Sequence, residues 1–335
     1  MEAQQSMVES MREQRTCQVV DPGQLDCSGS WLRNKVEPEP ALVESLQTIG
    51  QLEPILMFSE AGRMRVLHGG QRVLACRVLE QPVLAVKTAA PETVLEAALI
   101  HLAANWGRGL SEDQRLLYLR AVDGSISRQR LQTELFPALQ VAAQSRQGRC
   151  LQAWLDLEPE WDDCLAKGFA PLDIAPLVSR LSAGERQVLL PCFQNLRWSK
   201  NNAVHLVQWL WEIRARDQIG LEALWAELDL SGLLDLAQDW SPKDRIQRIL
   251  EAVQAKRYPH LSAMRERVQT TKQRLSKGHF WKVDHDPNFE STAVVLSRRL
   301  RREEDRETVA AELTALCQSS EWGALWAALS GEAEV

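Results

Sequence analysis

The stretch Met64-Arg65-Val66-Leu67-His68-Gly69-Gly70-Gln71-Arg72-Val73-Leu74-Ala75 constrains this chain more than any other. It reads as a short strand that turns at a glycine pair and runs directly into a helix. A helix starting immediately after such a turn points its first N–H groups and the positive end of its dipole at whatever lies ahead. An anion can settle there, with the Arg72 guanidinium at the mouth and no side chain on Gly70 to block its approach. Gly69, Gly70, Gln71 and Arg72 are therefore the first candidate binding residues.

The surrounding pattern predicts a small mixed α/β unit. Glu37-Pro38-Glu39-Pro40 stops any helix from the left, and Ala41 to Ile49 is expected to be a helix with Leu42, Leu46 and Ile49 on one face. Strands are expected at Pro54 to Phe58, Met64 to Leu67 and Val83 to Lys87, and helices at Gln71 to Leu79 and Pro91 to Leu102. Residues 1 to 30 lack periodicity and contain Asp21-Pro22-Gly23 and Ser28-Gly29-Ser30, so they read as a mobile tail. From Ser111 onward the pattern is helical to the end. Ser111-Glu112-Asp113-Gln114 is a strong helix start, with Ser111 and Gln114 spaced as a capping box.

Composition excludes several classes. No run of eighteen apolar residues exists and the N-terminus is polar, so the expectation is a cytoplasmic protein without a membrane span. The seven cysteines are scattered with no C-x-x-C pair, which reads as reduced, mostly core cysteine and gives no zinc site. P-loop, G-x-S-x-G and H-E-x-x-H motifs are absent. His279, Asp284, His285 and Asp286 lie close together but match no common metal spacing, and Phe280, Trp281 and Phe289 around them suggest a packed hairpin or loop. No metal site is assigned. The twelve tryptophans sit mostly among leucine and alanine in helical segments and read as core; Trp106 is also a candidate for base stacking.

Two short helices follow the α/β unit: Arg128 to Phe136, ended by Pro137, and Ala143 to Leu155 after a tight turn. That is the layout of a helix-turn-helix. On the second helix Gly148, Leu151, Trp154 and Leu155 share an inward stripe, while Ser145, Arg146, Arg149 and Gln152 fall away from it. These four are side-chain types that reach phosphates and base edges. Between Ser125 and Leu155 four arginines, Arg128, Arg130, Arg146 and Arg149, stand against one acid, Glu134, although the whole chain carries −6. DNA attracts a local patch and not a total charge; a solvated arginine face is the alternative reading.

In their order these pieces resemble the ParB family of DNA-partition proteins, over roughly residues 37 to 216. The family's first box, G-hydrophobic-x-x-P-I, is carried by Gly50, Pro54 and Ile55. The second, G-E/G-x-R-R before a small residue, is carried by Gly69, Gly70, Arg72 and Ala75. The third, E-N-x-Q-R ahead of a leucine–serine helix start, is carried by Asn105, Arg108, Leu110 and Ser111. The resemblance implies CTP with Mg2+ at these boxes, with Gly69, Gly70, Gln71, Arg72, Asn105 and Arg108 as nucleotide-binding residues. It also implies double-stranded DNA at Ser145, Arg146, Arg149 and Gln152, a homodimer, a partition ATPase as partner, and a role in chromosome or plasmid partition or related regulation. Two departures stand out. Val73 occupies the place of the second arginine and Ala104 that of the box-three acid, which removes a bidentate phosphate partner and a hard oxygen ligand. Weak CTP binding and little or no CTPase activity are therefore expected, unless Glu53 or Glu112 substitutes for the missing groups.

The expected fold class is α+β. The tail of residues 1–30 leads into an N-terminal α/β domain at 31–110, a helical helix-turn-helix domain at 111–216 and a helical C-terminal region at 217–335. In that last region Leu261, Met264, Val268, Thr271 and Leu275 fall at three- and four-residue steps, fitting either a dimer seam or an intrachain helix pair. Two other functions remain open: a nucleotide-using, kinase-like enzyme of the ParB/sulfiredoxin superfamily, and a helical adaptor without activity. The enzyme reading needs further carboxylates or a cysteine at the pocket, and Cys76 falls on the helix after the turn, at a position patterned as buried.

Overall fold

In the computed structural model the described residues are 16–32, 37–105, 107, 109–235, 237–277, 280–286, 289–300 and 305–331. The fold is α+β: one five-stranded sheet, a two-stranded hairpin and many helices. The chain divides into two compact units, one ending at Val207 and the other beginning at Gln208.

The first unit is built on the strands β1 (Thr16–Val20), β2 (Leu25–Asp26), β3 (Ile55–Glu60), β4 (Arg63–His68) and β5 (Val83–Lys87), in the spatial order β1-β5-β3-β4-β2. β3 and β4 form an antiparallel pair joined at Ala61-Gly62, where both residues take positive φ, and their register shifts between Leu56 and Met57. β5 returns parallel to β3 after helix α2 (Gly70–Val78), the crossover a parallel pair requires. Ile55, Met57, Phe58, Val66, Leu67, Val83 and Ala85 are buried on the sheet, so the apolar residues of the strands form the core of this unit.

Part of the expected tail is ordered. Residues 16–20 pair antiparallel with β5, Gln18 opposite Ala85, and Leu25–Asp26 pair with β4. The partners of Thr16–Val20 lie about seventy positions along the chain, and a five-residue edge strand carries little periodicity of its own. On α1 (Pro40–Ile49) Leu46 is buried and Leu42 half-buried, but Ile49 is exposed at the helix end.

Helices α3 (Val94–Ala104) and α4 (Glu112–Val122) follow, the latter started by the expected Ser111–Gln114 capping box. Next comes α5, a continuous helical run made of Arg128–Arg130, a π turn at Leu131–Leu135 and Phe136–Ala138. It does not stop at Pro137. The Phe136 N–H reaches back five residues to the Leu131 carbonyl, and Pro137 sits in the first turn of the last piece, where its missing N–H costs little. Gln140, with φ +59, makes the turn, and α6 (Arg146–Trp154) begins at Ser145. Helices α7 (Glu160–Ala166), α8 (Ala175–Val178), α9 (Ala183–Leu189) and α10 (Pro191–Gln194) complete the packing around Trp154, Trp161 and Phe193, and α11 (Lys200–Asp217) starts in this unit.

The second unit contains α12 (Leu221–Glu227), α13 (Leu230–Leu234), α14 (Pro242–Arg257), α15 (Pro259–Leu275), the strands β6 (Lys282–His285) and β7 (Val294–Ser297), α16 (Asp305–Cys317) and α17 (Glu321–Ser330). The antiparallel β6–β7 pair corrects the all-helical expectation for this region. Asp284 and His285 lie on β6, and the His285 ring meets that of Phe289 edge to face; His279 lies outside the described residues. Val268 and Leu275 of α15 pack in one core with Val283, Leu316, Leu325 and Leu329, so the heptad-like seam is filled by an intrachain partner, α17.

Candidate functional site

The glycine turn shapes a cavity. Gly69 has φ +93, and a Cβ there would stand 2.7 Å from the buried Ile55 Cγ2, so both backbone conformation and space demand glycine. Gly69 caps α2 through its carbonyl, which accepts from the Arg72 and Val73 N–H groups at 2.9 and 3.2 Å. That leaves Gly70 and Gln71 as the two residues whose N–H groups precede the helical ladder. Among the described residues no side chain caps this end, and the first turn holds no acid.

A cavity of about 330 Å³ opens in front of these groups. Gly69, Gly70, Gln71 and Arg72 line it from α2, His68 from the end of β4, His101 and Asn105 from the end of α3, and Gln114, Leu117 and Tyr118 from α4. Leu32, Leu42 and Leu110 close the apolar side, and Glu39 adds a carboxylate to the lining. The structure thus brings five of the six expected nucleotide residues to one cavity; the sixth, Arg108, lies outside the described residues, as does Trp106.

The cavity walls carry three kinds of polar group. Both side-chain amide atoms of Gln71 are buried without a hydrogen-bond partner among the described residues. Leaving such a group unpaired costs roughly 1–3 kcal/mol. Arg72, half-buried, is ion-paired to Glu53, so this candidate substitute for the missing groups is already engaged by Arg72. Finally, His101 is buried, with Nδ1 2.6 Å from the Tyr118 hydroxyl and its ring 5.4 Å from that of His68. Burial, and secondarily the neighbouring His68, depress its pKa to about 4, so the ring is neutral at pH 7. Asn105 Nδ2 donates to the His101 carbonyl at 2.8 Å and lies 3.4 Å from His68 Nδ1, which orients its carboxamide at the rim.

Two expectations about the departures change. Val73 is fully buried in the core, so no arginine could serve a ligand from that position, and the residue facing the cavity beside Arg72 is Gln71. Glu112 is half-buried near Asp173 and hydrogen-bonded to Gln147, and its pKa is raised mainly by burial. The carboxylate lining the cavity is Glu39, which carries no motif signal in the sequence. Among the described residues no group of three or more His, Cys, Asp or Glu side chains is placed to hold a metal ion.

The second candidate surface is α6. Gly148, on the inward stripe, lets the turn before α6 pack closely against the helix: a Cβ there would lie 2.4 Å from the Ala142 carbonyl oxygen and 2.6 Å from that of Ala143. Of the four expected DNA-binding residues, two are occupied inside the fold. Ser145 is the N-cap, its Oγ accepting from the Gly148 N–H at 3.0 Å. Gln152 donates to the Ala143 and Gly148 carbonyls at 2.9 and 3.2 Å and accepts from Gln132 at 2.8 Å. A serine before a helix and a glutamine one turn from a glycine are more cheaply satisfied by nearby backbone than by a distant ligand.

Arg146 and Arg149 remain outward. Arg149 is exposed and donates to the Gln144 carbonyl at 2.6 Å. The Arg146 side chain is 68% exposed and bonds Asp173 Oδ1 at 2.9 Å, the same oxygen that takes Lys200 Nζ at 2.8 Å. Lys200, at the start of α11, is set beside Arg146 by the shared carboxylate.

No protein-family model matches the chain, and no curated protein does. Solved structures similar to it in part include two of a partition protein. One is a C-terminally truncated chromosome-partitioning protein ParB from Caulobacter crescentus complexed to the centromeric parS site: 14% identity, TM-score 0.35, covering 57% of this chain and 98% of that one. The other is a C-terminally truncated ParB from the same organism complexed with CTP-gamma-S: 16% identity, TM-score 0.24, covering 53% and 99%.

Proposed function

We propose that this protein is a ParB-like, sequence-specific DNA-binding protein whose α/β part holds a nucleotide-type anion in the cavity at Gly69–Arg72. The observation that carries the DNA reading is α6: a short helix after a tight turn, its inner face pinned by Gly148, Leu151 and Trp154, its outer face offering Arg146 and Arg149. Arginine on an exposed recognition helix reaches guanine edges and phosphates with a bidentate fork. The role we assign is partition or related regulation, on a DNA-associated protein. Among the described residues no helix is long and apolar enough to cross a membrane.

The cavity suits the phosphates and base of a nucleotide better than it suits the metal. The open start of α2 and Arg72 supply an anion cradle. Magnesium usually keeps several waters and takes one or two carboxylates plus phosphate oxygens; Glu39 is the carboxylate at hand. When bound, the metal would screen the phosphate charge. Glu39, Arg72 and the α2 amides would then orient the ligand, and the apolar wall of Leu32, Leu42 and Leu110 would limit water. CTP is the nucleotide we assign, with weak binding and turnover near background.

The test begins with selection of a preferred duplex from a random pool by the intact protein, followed by affinity measurements. Arg146→Ala with Arg149→Ala should weaken binding to the selected duplex by about 2–6 kcal/mol if each arginine reads a base. A folded double variant with unchanged affinity would overturn the assignment of α6.

A further inference from the structure

The far end of α6 is gripped by one side chain. Arg120, on α4, donates from Nη1 to the Leu155 carbonyl at 2.8 Å and from Nη2 to the Trp154 and Leu157 carbonyls at 3.1 and 2.8 Å. The Trp154 and Leu155 carbonyls lie at the end of α6 and that of Leu157 just beyond it; Trp154 also accepts from the Leu157 N–H at 3.0 Å, and a cation at this end complements the helix dipole. The same guanidinium makes a two-pronged pair with Asp162 of α7, from Nε at 3.0 Å and Nη2 at 3.1 Å. Asp162 Oδ1 in turn accepts from Nε1 of the buried Trp154 at 2.9 Å. Three elements, α4, the end of α6 and α7, therefore meet on one planar fork.

We propose that Arg120 is a positioning residue that sets the angle of α6 toward DNA. It sits at the opposite end of the helix from Arg146. Resting on the DNA reading above, the consequence is geometric: nine residues rise about 13 Å, so a tilt of roughly 10° at the gripped end displaces the other end by about 2 Å. A hydrogen bond to a base edge tolerates only a few tenths of an ångström. Contacts to phosphate are more forgiving, because a mobile arginine can follow a charge. Arg120 thus governs discrimination between sequences more than adhesion to DNA. Lysine cannot replace it, since one ammonium cannot span three carbonyls and a carboxylate.

The experiment compares the selected duplex with a scrambled one of equal length and salt, using the full chain, Arg120→Lys and Asp162→Asn. The ratio of the two affinities is the readout, because a loss of folded fraction lowers both alike and leaves the ratio unchanged. For Arg120→Lys the ratio should fall at least tenfold while affinity for the scrambled duplex stays within twofold. Asp162→Asn keeps the three carbonyl contacts and should lose thermal stability yet hold the ratio within about twofold. A ratio for Arg120→Lys within twofold of the parent overturns the proposal, as does an equal collapse in Asp162→Asn, which would mean that any loosening suffices. If the parent itself selects no sequence, the DNA reading fails first and this proposal with it.

Discussion

Helices α2 and α6 both present a positive N-terminal end, yet they are finished in opposite ways. The start of α2 follows a left-handed glycine, has no side-chain cap among the described residues, and looks into a cavity with a neutral histidine and an unpaired amide. The start of α6 is capped by Ser145, lies on the surface and carries arginine in its first turn. An uncapped end in a concave site suits a small anion that can be surrounded and desolvated. A capped end with exposed guanidinium groups suits a long polyanion that stays largely in water. The same dipole serves two ligands because the surroundings differ.

The largest effect should come from closing the space between α6 and the turn that leads into it. Gly148→Ala would force a methyl group against two backbone carbonyls that cannot swing aside, and should cost about 3 kcal/mol. Thermal or denaturant unfolding checks this, and a loss below 1 kcal/mol would show that the turn is softer than its geometry implies.

A slightly smaller effect is expected on the cavity side, as pH dependence. His101 is protonated far less readily in the folded chain than in the unfolded one, its pKa dropping from 6.5 to about 4. The unfolded chain therefore takes up a proton first as pH falls: stability is fully present above pH 6.5 and is lost progressively between 6.5 and about 4. The loss should reach about 2–3 kcal/mol. His101→Gln removes the titration and should flatten that part of the urea-midpoint profile relative to the parent; parallel profiles would contradict the buried neutral ring.

The smallest effect on folding, with a large effect on binding, belongs to Gly70. Its φ is ordinary and a Cβ would meet only Leu32 at 3.7 Å, so Gly70→Ser should change stability by less than about 1 kcal/mol. The side chain would stand at the mouth of the anion site, and calorimetry should find CTP affinity abolished. Equal binding by variant and parent would remove α2 from the site.

Local signals were legible in the sequence. The glycine turn, the Ser111–Gln114 capping box and the packing of Gly148 depend on neighbours within a few residues. What escaped depends on distant partners or on facing. Strand β1 exists because β5 offers an edge, and the Val73–Gln71 exchange of roles depends on which side of α2 meets the sheet. Ser145 and Gln152 have the chemistry of DNA contacts, but a helix start and a carbonyl within hydrogen-bond reach claim them first. Glu39, at the start of α1, and Lys200, at the start of α11, gain their places only because the fold brings them to the cavity in front of α2 and to Asp173.

Amide hydrogen exchange of the intact chain, with the selected duplex and separately with CTP and magnesium, tests the central comparison most directly. The first-turn amides of both helices, Gly70 and Gln71 in α2 and Arg146 and Gln147 in α6, precede the ladder of helical hydrogen bonds, so they exchange fast until a ligand covers them. The account predicts that the duplex slows exchange across Ser145–Arg149 and that CTP slows it across Gly69–Arg72. A duplex that binds specifically while leaving Ser145–Arg149 unchanged would contradict it.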